Sequence, residues 1–191
     1  MKQLAVLMAR IVVLPAACLA GFGRWHELFT LFAQGYATVP GILGSYVRVA
    51  YYKWTLDGVG KDCHIGFGSY FAHAKASMGD DVGMGAYCVL GQVDLGEGTL
   101  LASHVQILSG SRQHKRDESG KLTDEGRMFR RIKVGTQCWI GAGAIITADL
   151  GDGATVGPGS VVAQNVPARA TVSGNPARNF AVVVKPVKPV S

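Results

Sequence analysis

The stretch Val134-Gly-Thr-Gln-Cys-Trp-Ile-Gly-Ala-Gly-Ala-Ile-Ile146, resumed at Ala154-Thr-Val-Gly-Pro-Gly-Ser-Val-Val162, repeats with a period of six residues. Its repeated aliphatic positions are Val134, Ile140, Ile146, Val156 and Val162, and a glycine follows three of them. An α-helix would repeat its apolar residues at three and four positions, and a simple strand at two. A period of six predicts a chain that forms a short strand, turns a corner and repeats. The aliphatic side chain then points inward, and the small residue lets the backbone bend.

The same period predicts a longer coil that begins near Cys63. With two single-residue slips, the apolar positions are Ile65, Phe71, Met78, Met84, Leu90, Leu95, Leu101 and Ile107. About three hexads, roughly 18 residues, complete one turn of a three-sided coil. The sequence therefore predicts a β-solenoid over residues 61–180.

The composition fits this prediction and narrows the classes of partner. Of the 191 residues, 26 are glycine, 17% are charged and 48% are hydrophobic, which excludes a largely disordered chain. The net charge of +6 predicts an anionic partner. We do not expect nucleic acid, because no basic stripe is interleaved with exposed aromatic residues. The four cysteines are far apart and form no CxxC pair, which favours reduced core thiols in a cytoplasmic protein over disulfides.

Residues 1–60 lack the six-residue period, and we expect a separate helical segment there. The apolar run from Leu4 to Gly23 contains Arg10 and Pro15, which disfavours a membrane-spanning helix. Residues 24–32 and 46–54 mix aromatic with basic side chains at helical spacing. This composition is typical of helices on an anionic membrane surface, here through residues 1–55. It also suits helices that cover the open end of the coil, and the sequence leaves both alternatives open.

A long polar segment, residues 109–133, interrupts the hexads and predicts a loop that protrudes from the coil. Such an excursion from a rigid scaffold is usually functional. It contains one histidine, His114, the type of side chain best suited to proton transfer near neutral pH. The tail, residues 181–191, is broken by prolines, and we expect it to be extended.

The ordered motifs of the second half resemble those of the hexapeptide-repeat acyltransferases. They are Trp139-Ile-Gly-Ala-Gly-Ala, Val156-Gly-Pro-Gly-Ser-Val-Val162, Asn165-Val-Pro167 and Gly174-Asn-Pro-Ala-Arg178, and they are most similar to the maltose, galactoside and exopolysaccharide O-acetyltransferases. The resemblance implies an all-β left-handed parallel β-helix, a homotrimer, and acetyl-CoA bound between neighbouring subunits. Left-handedness comes wholly from the resemblance, since ordinary parallel crossovers are right-handed.

The resemblance also implies roles for individual residues. The loop histidine, His114, matches the general base that takes a proton from a sugar hydroxyl. Trp139 matches a tryptophan beside the active site, although it also suits a packing role at a corner. Acetyl-CoA contacts are implied for Ala142, Pro158, Ala163, Gln164 and Arg178; the guanidinium of the last suits phosphate oxygens.

Three departures from the family pattern concern the site: the first two bear on the contacts with CoA, and the third bears on the acceptor. Ala163-Gln164-Asn165 stands where relatives often have Thr-Lys-Asp, residues 146–151 form a shorter coil, and no acceptor-orienting Asn lies between Met84 and Leu90. The last departure favours a larger glycan, a cell-surface polysaccharide or its lipid-linked precursor, handled in the cytoplasm at the inner face of the membrane.

Three other functions compete with this one. A serine-type or other small-molecule acetyltransferase would use His73 or His104 as its base. A scaffold without activity would need neither His114 nor Arg178. A zinc enzyme of the γ-carbonic anhydrase type needs paired histidines five residues apart, and Ser109 stands five residues after His104. We therefore expect no metal.

Overall fold

The computed structural model of the chain describes residues 2–110, 114–123 and 128–179, with side chains from residue 6 onward. Its first part is helical and consists of α1 (Lys2–Leu19), a short 3-10 turn (Gly21–Gly23), α2 (His26–Ala37) and α3 (Gly41–Thr55). From Gly58 onward the chain forms strands of two or three residues. The predicted tail, residues 181–191, lies outside the described residues, as do parts of the predicted loop.

Three sheets form the three sides of the coil, and the strands within each pair in parallel. Sheet A contains β1 (Gly58–Val59), β4 (Ser77–Met78), β7 (Val93–Leu95) and β12 (Ile132–Val134), continued by bridges at Leu150 and Val166. Sheet B contains β2 (His64–Ile65), β5 (Gly83–Met84), β8 (Leu100–Leu101), β13 (Trp139–Ile140), β15 (Thr155–Val156) and β17 (Thr171–Ser173). Sheet C contains β3 (Tyr70–Phe71), β6 (Val89–Leu90), β9 (Gln106–Ile107), β14 (Ile145–Ile146) and β16 (Val161–Val162).

Two further pairings are antiparallel. Strand β18 (Arg178–Asn179) folds back on β17 at the carboxyl-terminal end of the coil. The hairpin of β10 (Lys115–Arg116) and β11 (Leu122–Thr123) lies in the polar loop. Because consecutive strands visit sheets A, B and C in turn, the chain completes about six turns.

The hexad side chains fill the interior as the sequence predicted. Ile65, Phe71, Ile107, Ile140 and Ile146 are all fully buried, each as the second residue of its strand. The predicted fold class, a left-handed parallel β-helix with an amino-terminal helical segment, is confirmed.

Glycines at the corners allow successive coils to approach closely. A Cβ added to Gly141 would lie 2.6 Å from the backbone nitrogen of Pro158 on the next coil. At Gly135 it would lie 2.4 Å from a carboxylate oxygen of Asp152. Any side chain at these positions would force neighbouring coils apart, which explains why a small residue follows the aliphatic one.

Helix α3 covers the open end of the first coil. The guanidinium of Arg48, which is 1% exposed, donates from Nε to the carbonyl of Ile65 (3.0 Å). Ser45 Oγ accepts the amide of Ile65 (3.1 Å), and the Tyr52 hydroxyl accepts that of Phe71 (3.0 Å). The edge strands β2 and β3 therefore have side-chain partners for backbone groups that no further coil can pair.

Candidate functional site

The polar loop leaves the coil at the corner between sheets C and A. Strand β9 ends in sheet C at Ile107, and β12 begins in sheet A at Ile132. The loop closes at its root, where the amide of Arg130 donates to the carbonyl of Ser109 (2.9 Å). His114 directly precedes the hairpin strand β10 and is exposed. The predicted base is thus carried outside the coil wall, and the loop root fixes the corner from which it projects.

Polar groups of the next two coils line up at this same corner. The Asp149 carboxylate forms an ion pair with Arg130 and accepts the amide of Lys133 (2.9 Å). The amide of Asp149 in turn donates to the side-chain oxygen of Asn165 (3.1 Å). A continuous polar connection therefore runs from the loop root to the coil two turns away.

A shallow cavity of about 180 Å³ begins where this connection ends. It is lined by Ala163, Gln164 and Arg178, three of the five residues predicted to contact acetyl-CoA, together with Asn165 and mostly apolar neighbours. Arg178 reaches it because β18 folds back along β17 over the last coil. Among the described lining residues Arg178 carries the only charge, so the cavity suits an anionic group beside a thin apolar chain.

The other two predicted contacts, Ala142 and Pro158, lie at a different corner, between sheets B and C. They stack on successive coils, where the amide of Gly159 donates to the carbonyl of Ala142 (2.8 Å). Sheet C separates this corner from the cavity, and its outward residues there, Ile145 and Val161, are half-buried. The five residues thus flank one side of the coil rather than forming a single pocket.

Trp139 lies on sheet B, away from the other predicted catalytic residue. Its side chain is 47% exposed, and its strand pairs with Leu100 and Thr155 on the neighbouring coils. In a three-sided coil, sheet B is opposite the corner between sheets C and A. One chain therefore places Trp139 and the root of the His114 loop on opposite sides of the coil.

The two histidines proposed as alternative bases, His73 and His104, both contact other aromatic rings. The ring of His73 stacks on that of His26 (centroids 5.3 Å apart) and contacts Phe129 (4.7 Å). Burial, and secondarily the neighbouring His26, lowers the pKa of His73. His104 stacks on Tyr87 at 5.2 Å, at the corner between sheets B and C. The His73 ring therefore packs between α2 and the loop, whereas the His104 ring is exposed at its corner.

Three of the four cysteines are poorly suited to nucleophilic chemistry. Burial raises the pKa of Cys63, Cys88 and Cys138, which lowers the fraction of reactive thiolate. No three His, Cys, Asp or Glu side chains in residues 2–110, 114–123 and 128–179 are grouped closely enough to hold a metal ion. Within those ranges, no helix has the length and apolar character needed to cross a bilayer.

Sequence reasoning did not identify the roles of Arg130 and Asp149. The shortened coil at residues 146–151 could have indicated them, because Asp149 lies at the corner where a longer segment is usual. Asn165 was noted only as a departure from the family pattern. Its side chain is the polar contact between that corner and the cavity wall.

Comparisons with known proteins agree with the coil and its repeats. Residues 131–164 match the family described as the hexapeptide repeat of succinyl-transferase. Galactoside O-acetyltransferase of Escherichia coli (strain K12) is 27% identical over 123 residues. The match takes in 62% of this chain and 53% of that protein, so the chain spans about half the length of this curated relative.

Solved structures show the same fold at low sequence identity. A maltose O-acetyltransferase from Clostridium difficile 630 superposes with a TM-score of 0.71 at 22% identity, covering 84% of this chain and 87% of that one. A hexapeptide-repeat acetyltransferase from Vibrio cholerae, solved with acetyl coenzyme A, gives 0.56 at 18% identity, covering 88% and 91%. The predicted resemblance to hexapeptide-repeat acyltransferases is confirmed.

Proposed function

We propose that this chain, a left-handed β-helix built of hexapeptide repeats, is an acetyl-CoA-dependent O-acetyltransferase that acts on a sugar hydroxyl. One observation carries the proposal: the loop with His114 leaves the coil at the corner where the cavity of Ala163, Gln164 and Arg178 lies two coils away. The acetyltransferases to which the chain is similar, including one solved with acetyl coenzyme A, support the choice of donor.

The side of the coil formed by sheet C fits the donor. The side chains of Ala142 and Pro158 are small and leave space at the corner between sheets B and C. The half-buried Ile145 and Val161 provide an apolar surface beside it. A pantetheine arm is thin and largely apolar, so it would lie along this surface. Arg178, at the far corner, would then bind CoA phosphate through charge-assisted hydrogen bonds.

His114 would act as general base. Its imidazole accepts the proton of the sugar hydroxyl while the hydroxyl oxygen bonds to the thioester carbonyl carbon. The carbon–sulfur bond then breaks, and the protonated histidine returns its proton to the departing thiolate of CoA. The products are an O-acetyl sugar and free CoA.

A homotrimer would complete the site. Trp139 and the loop root lie on opposite sides of one chain, so only a neighbouring copy brings a Trp139 towards His114. The exposed Leu100 beside Trp139 gives sheet B an apolar surface suited to such a contact. In this assembly the active site lies between copies.

For the acceptor we propose a cell-surface polysaccharide or its lipid-linked precursor, modified in the cytoplasm as a step of polysaccharide biosynthesis. The helices of residues 1–55 would bring the protein to the inner face of the membrane, where such precursors are assembled. Large glycans need an open site, and His114 is exposed on a loop rather than enclosed.

The decisive experiment measures CoA release by H114A with a panel of free and lipid-linked glycans. We expect kcat to fall about 10²–10⁴-fold, the usual contribution of a general base, with unchanged affinity for acetyl-CoA. Unchanged turnover would contradict the role of His114. No turnover by the wild-type chain on any acceptor, together with no binding of acetyl-CoA, would contradict the proposed reaction itself.

A second pair of variants tests the donor side. R178A should raise KM for acetyl-CoA about tenfold, the loss of one charge-assisted contact to phosphate. The matched control is R169A, which removes an exposed arginine at the corner between sheets A and B of the last coil. Equal KM values in the two variants would place the CoA phosphates elsewhere.

A further inference from the structure

Helix α1 presents its larger apolar residues to the outside and mostly small ones to the protein. The residues on its buried side are Ala9, Val13, Ala16 and Ala17. Ile11 is 58% exposed and Val12 63%, and Leu7, Met8 and Leu19 are exposed as well. A helix at the surface of a water-soluble protein shows the opposite arrangement, with polar residues facing the solvent. The outer face of α1 is therefore built for an apolar environment.

A cavity of about 500 Å³ lies beside this face, between α1, α3 and the first corner of the coil. Its apolar wall is formed by Val6 and Leu7 of α1 together with Tyr46 and Val49 of α3. Since Leu7 is also exposed on the outer face, the cavity and the apolar face are continuous.

Three cations, Arg10, Lys53 and Lys61, line the same cavity, against one carboxylate, that of Asp62. Lys53 Nζ donates to the carbonyl of Gly60 (3.0 Å), which holds its charge at the cavity wall. The Arg10 guanidinium lies 5.0 Å from the centre of the Trp54 ring. Its Nε is buried and has no hydrogen-bond partner among the described residues, so an acceptor in the cavity would remove a desolvation cost.

We propose that this cavity binds the phosphate of an anionic phospholipid at a membrane surface, while the outer face of α1 rests among the acyl chains. The ligand must combine negative charge with long apolar chains, because the cations and the exposed aliphatic face adjoin each other. A second copy of this chain is a poorer occupant, since it would bring the same three cations against their equivalents. The proposal rests on the membrane contact proposed above for residues 1–55 and does not depend on the acetyl transfer.

The lipid site and the proposed acyl-transfer site lie at opposite ends of the coil. The cavity of α1 adjoins the first coil, and the cavity of Arg178 lies on the fifth and sixth. Coils are stacked at the strand spacing of about 4.8 Å, so roughly 19 Å separates them along the axis. Variants at one site can therefore be examined without altering residues of the other.

The test is cosedimentation of the full chain with vesicles of phosphatidylcholine alone and of phosphatidylcholine mixed with phosphatidylglycerol. We expect tighter binding to the mixed vesicles. K61Q should weaken that binding about fivefold, the contribution expected for one lysine near an anionic surface. The matched control, K75Q, removes an exposed lysine at another corner of the first coil and should bind as the wild type does.

A second pair of variants tests the apolar face of α1. I11N should reduce binding to both kinds of vesicle, whereas L122N, on the loop hairpin, should not.

Several outcomes would overturn the proposal. Equal binding to the two vesicles, or equal losses in K61Q and K75Q, would remove the headgroup site. If inorganic phosphate alone protected the chain against thermal unfolding in a Lys61-dependent manner while vesicles did not bind, the site would be one for a free anion. If I11N changed the oligomeric state but not sedimentation with vesicles, a second copy would cover α1. If the wild-type chain did not bind vesicles but still released CoA in the glycan assay, the lipid site alone would be contradicted and the proposed acetyl transfer would stand.

Discussion

At the amino-terminal end of the coil the backbone groups of the first strands are paired with side chains of α3, whereas the carboxyl-terminal end leaves polar side chains exposed around a shallow cavity. Arg48, Tyr52 and Ser45 are buried and make specific hydrogen bonds to strands β2 and β3. Arg178 and Gln164 are exposed at the other end. The same coil thus ends once in a closed cap and once in a surface open to a ligand.

The difference shows where stability and function are separated in this chain. A buried charge that lacks its partners destabilises the fold, so the cap residues are constrained by folding. An exposed arginine contributes little to stability and is available to bind an anion. Substitutions at the two ends should therefore affect different measurements.

The largest effect on stability is expected for R48M. Besides the carbonyl of Ile65, Arg48 donates from Nη1 to those of Tyr36 and Val39 (3.1 and 2.7 Å). Methionine fills similar space but leaves these buried acceptors unpaired, which should lower the free energy of unfolding by about 3–5 kcal/mol. Urea unfolding followed by circular dichroism measures it. R178A should change stability by less than about 0.5 kcal/mol, and an equal loss in both variants would contradict the contrast between the ends.

A smaller effect, on turnover rather than stability, is expected for D149N. The substitution removes the ion pair with Arg130 at the loop root, although an amide can still accept the Lys133 amide. The pair is partly exposed, so we expect a stability change within about 1 kcal/mol. A less firmly held loop should lower kcat about threefold to tenfold with little change in KM for acetyl-CoA.

The control for this substitution is R116Q. Arg116 lies on the hairpin strand β10, is exposed, and donates within the loop to the carbonyl of Gly120 (2.7 Å). If D149N and R116Q lowered kcat equally, the loop root would not position His114. If D149N left kcat unchanged, the polar connection from Arg130 to Asn165 would be structural only.

The regular part of the fold could be predicted because each hexad occupies one side of the coil. A six-residue period assigns Ile140 and Ile146 to the interior of successive sheets without any long-range information. The protruding loop was equally visible, because the period stops at Ser109. In both cases the signal lies within a few neighbouring residues.

The cap could not be predicted with the same certainty, because its contacts join distant parts of the chain. Tyr46–Trp54 fits both a membrane-surface helix and a cap by its local pattern. In the structure Arg48, Tyr51 and Tyr52 are fully buried, so this stretch serves the cap. The exposed apolar face belongs instead to α1, where the sequence shows only a nearly uniform apolar run.

The sequence suggested residues for the candidate site, but it did not suggest how they are arranged. The resemblance implies CoA contacts for Ala142 and Arg178, yet spacing alone does not reveal that these residues lie at different corners. Nor does it reveal that β18 folds back to bring Arg178 beside Ala163. Asp149 remained unnoticed because its three partners lie on the loop root and on neighbouring coils.

The smallest effect is a dependence of stability on pH, which we expect at the contact between α2 and the loop. His73 lies between His26 of α2 and Phe129 of the loop, and burial lowers its pKa below the usual 6.5. The unfolded chain therefore binds a proton at His73 more readily than the folded one does, so stability falls with decreasing pH below about 6.5. Above that pH both states are neutral at this residue and the effect vanishes.

H73F keeps a ring between His26 and Phe129 without the titration, so its unfolding free energy should depend less steeply on pH between 7 and 5 than that of the wild type. A slope in H73F as steep as in the wild type would assign the pH dependence to other groups.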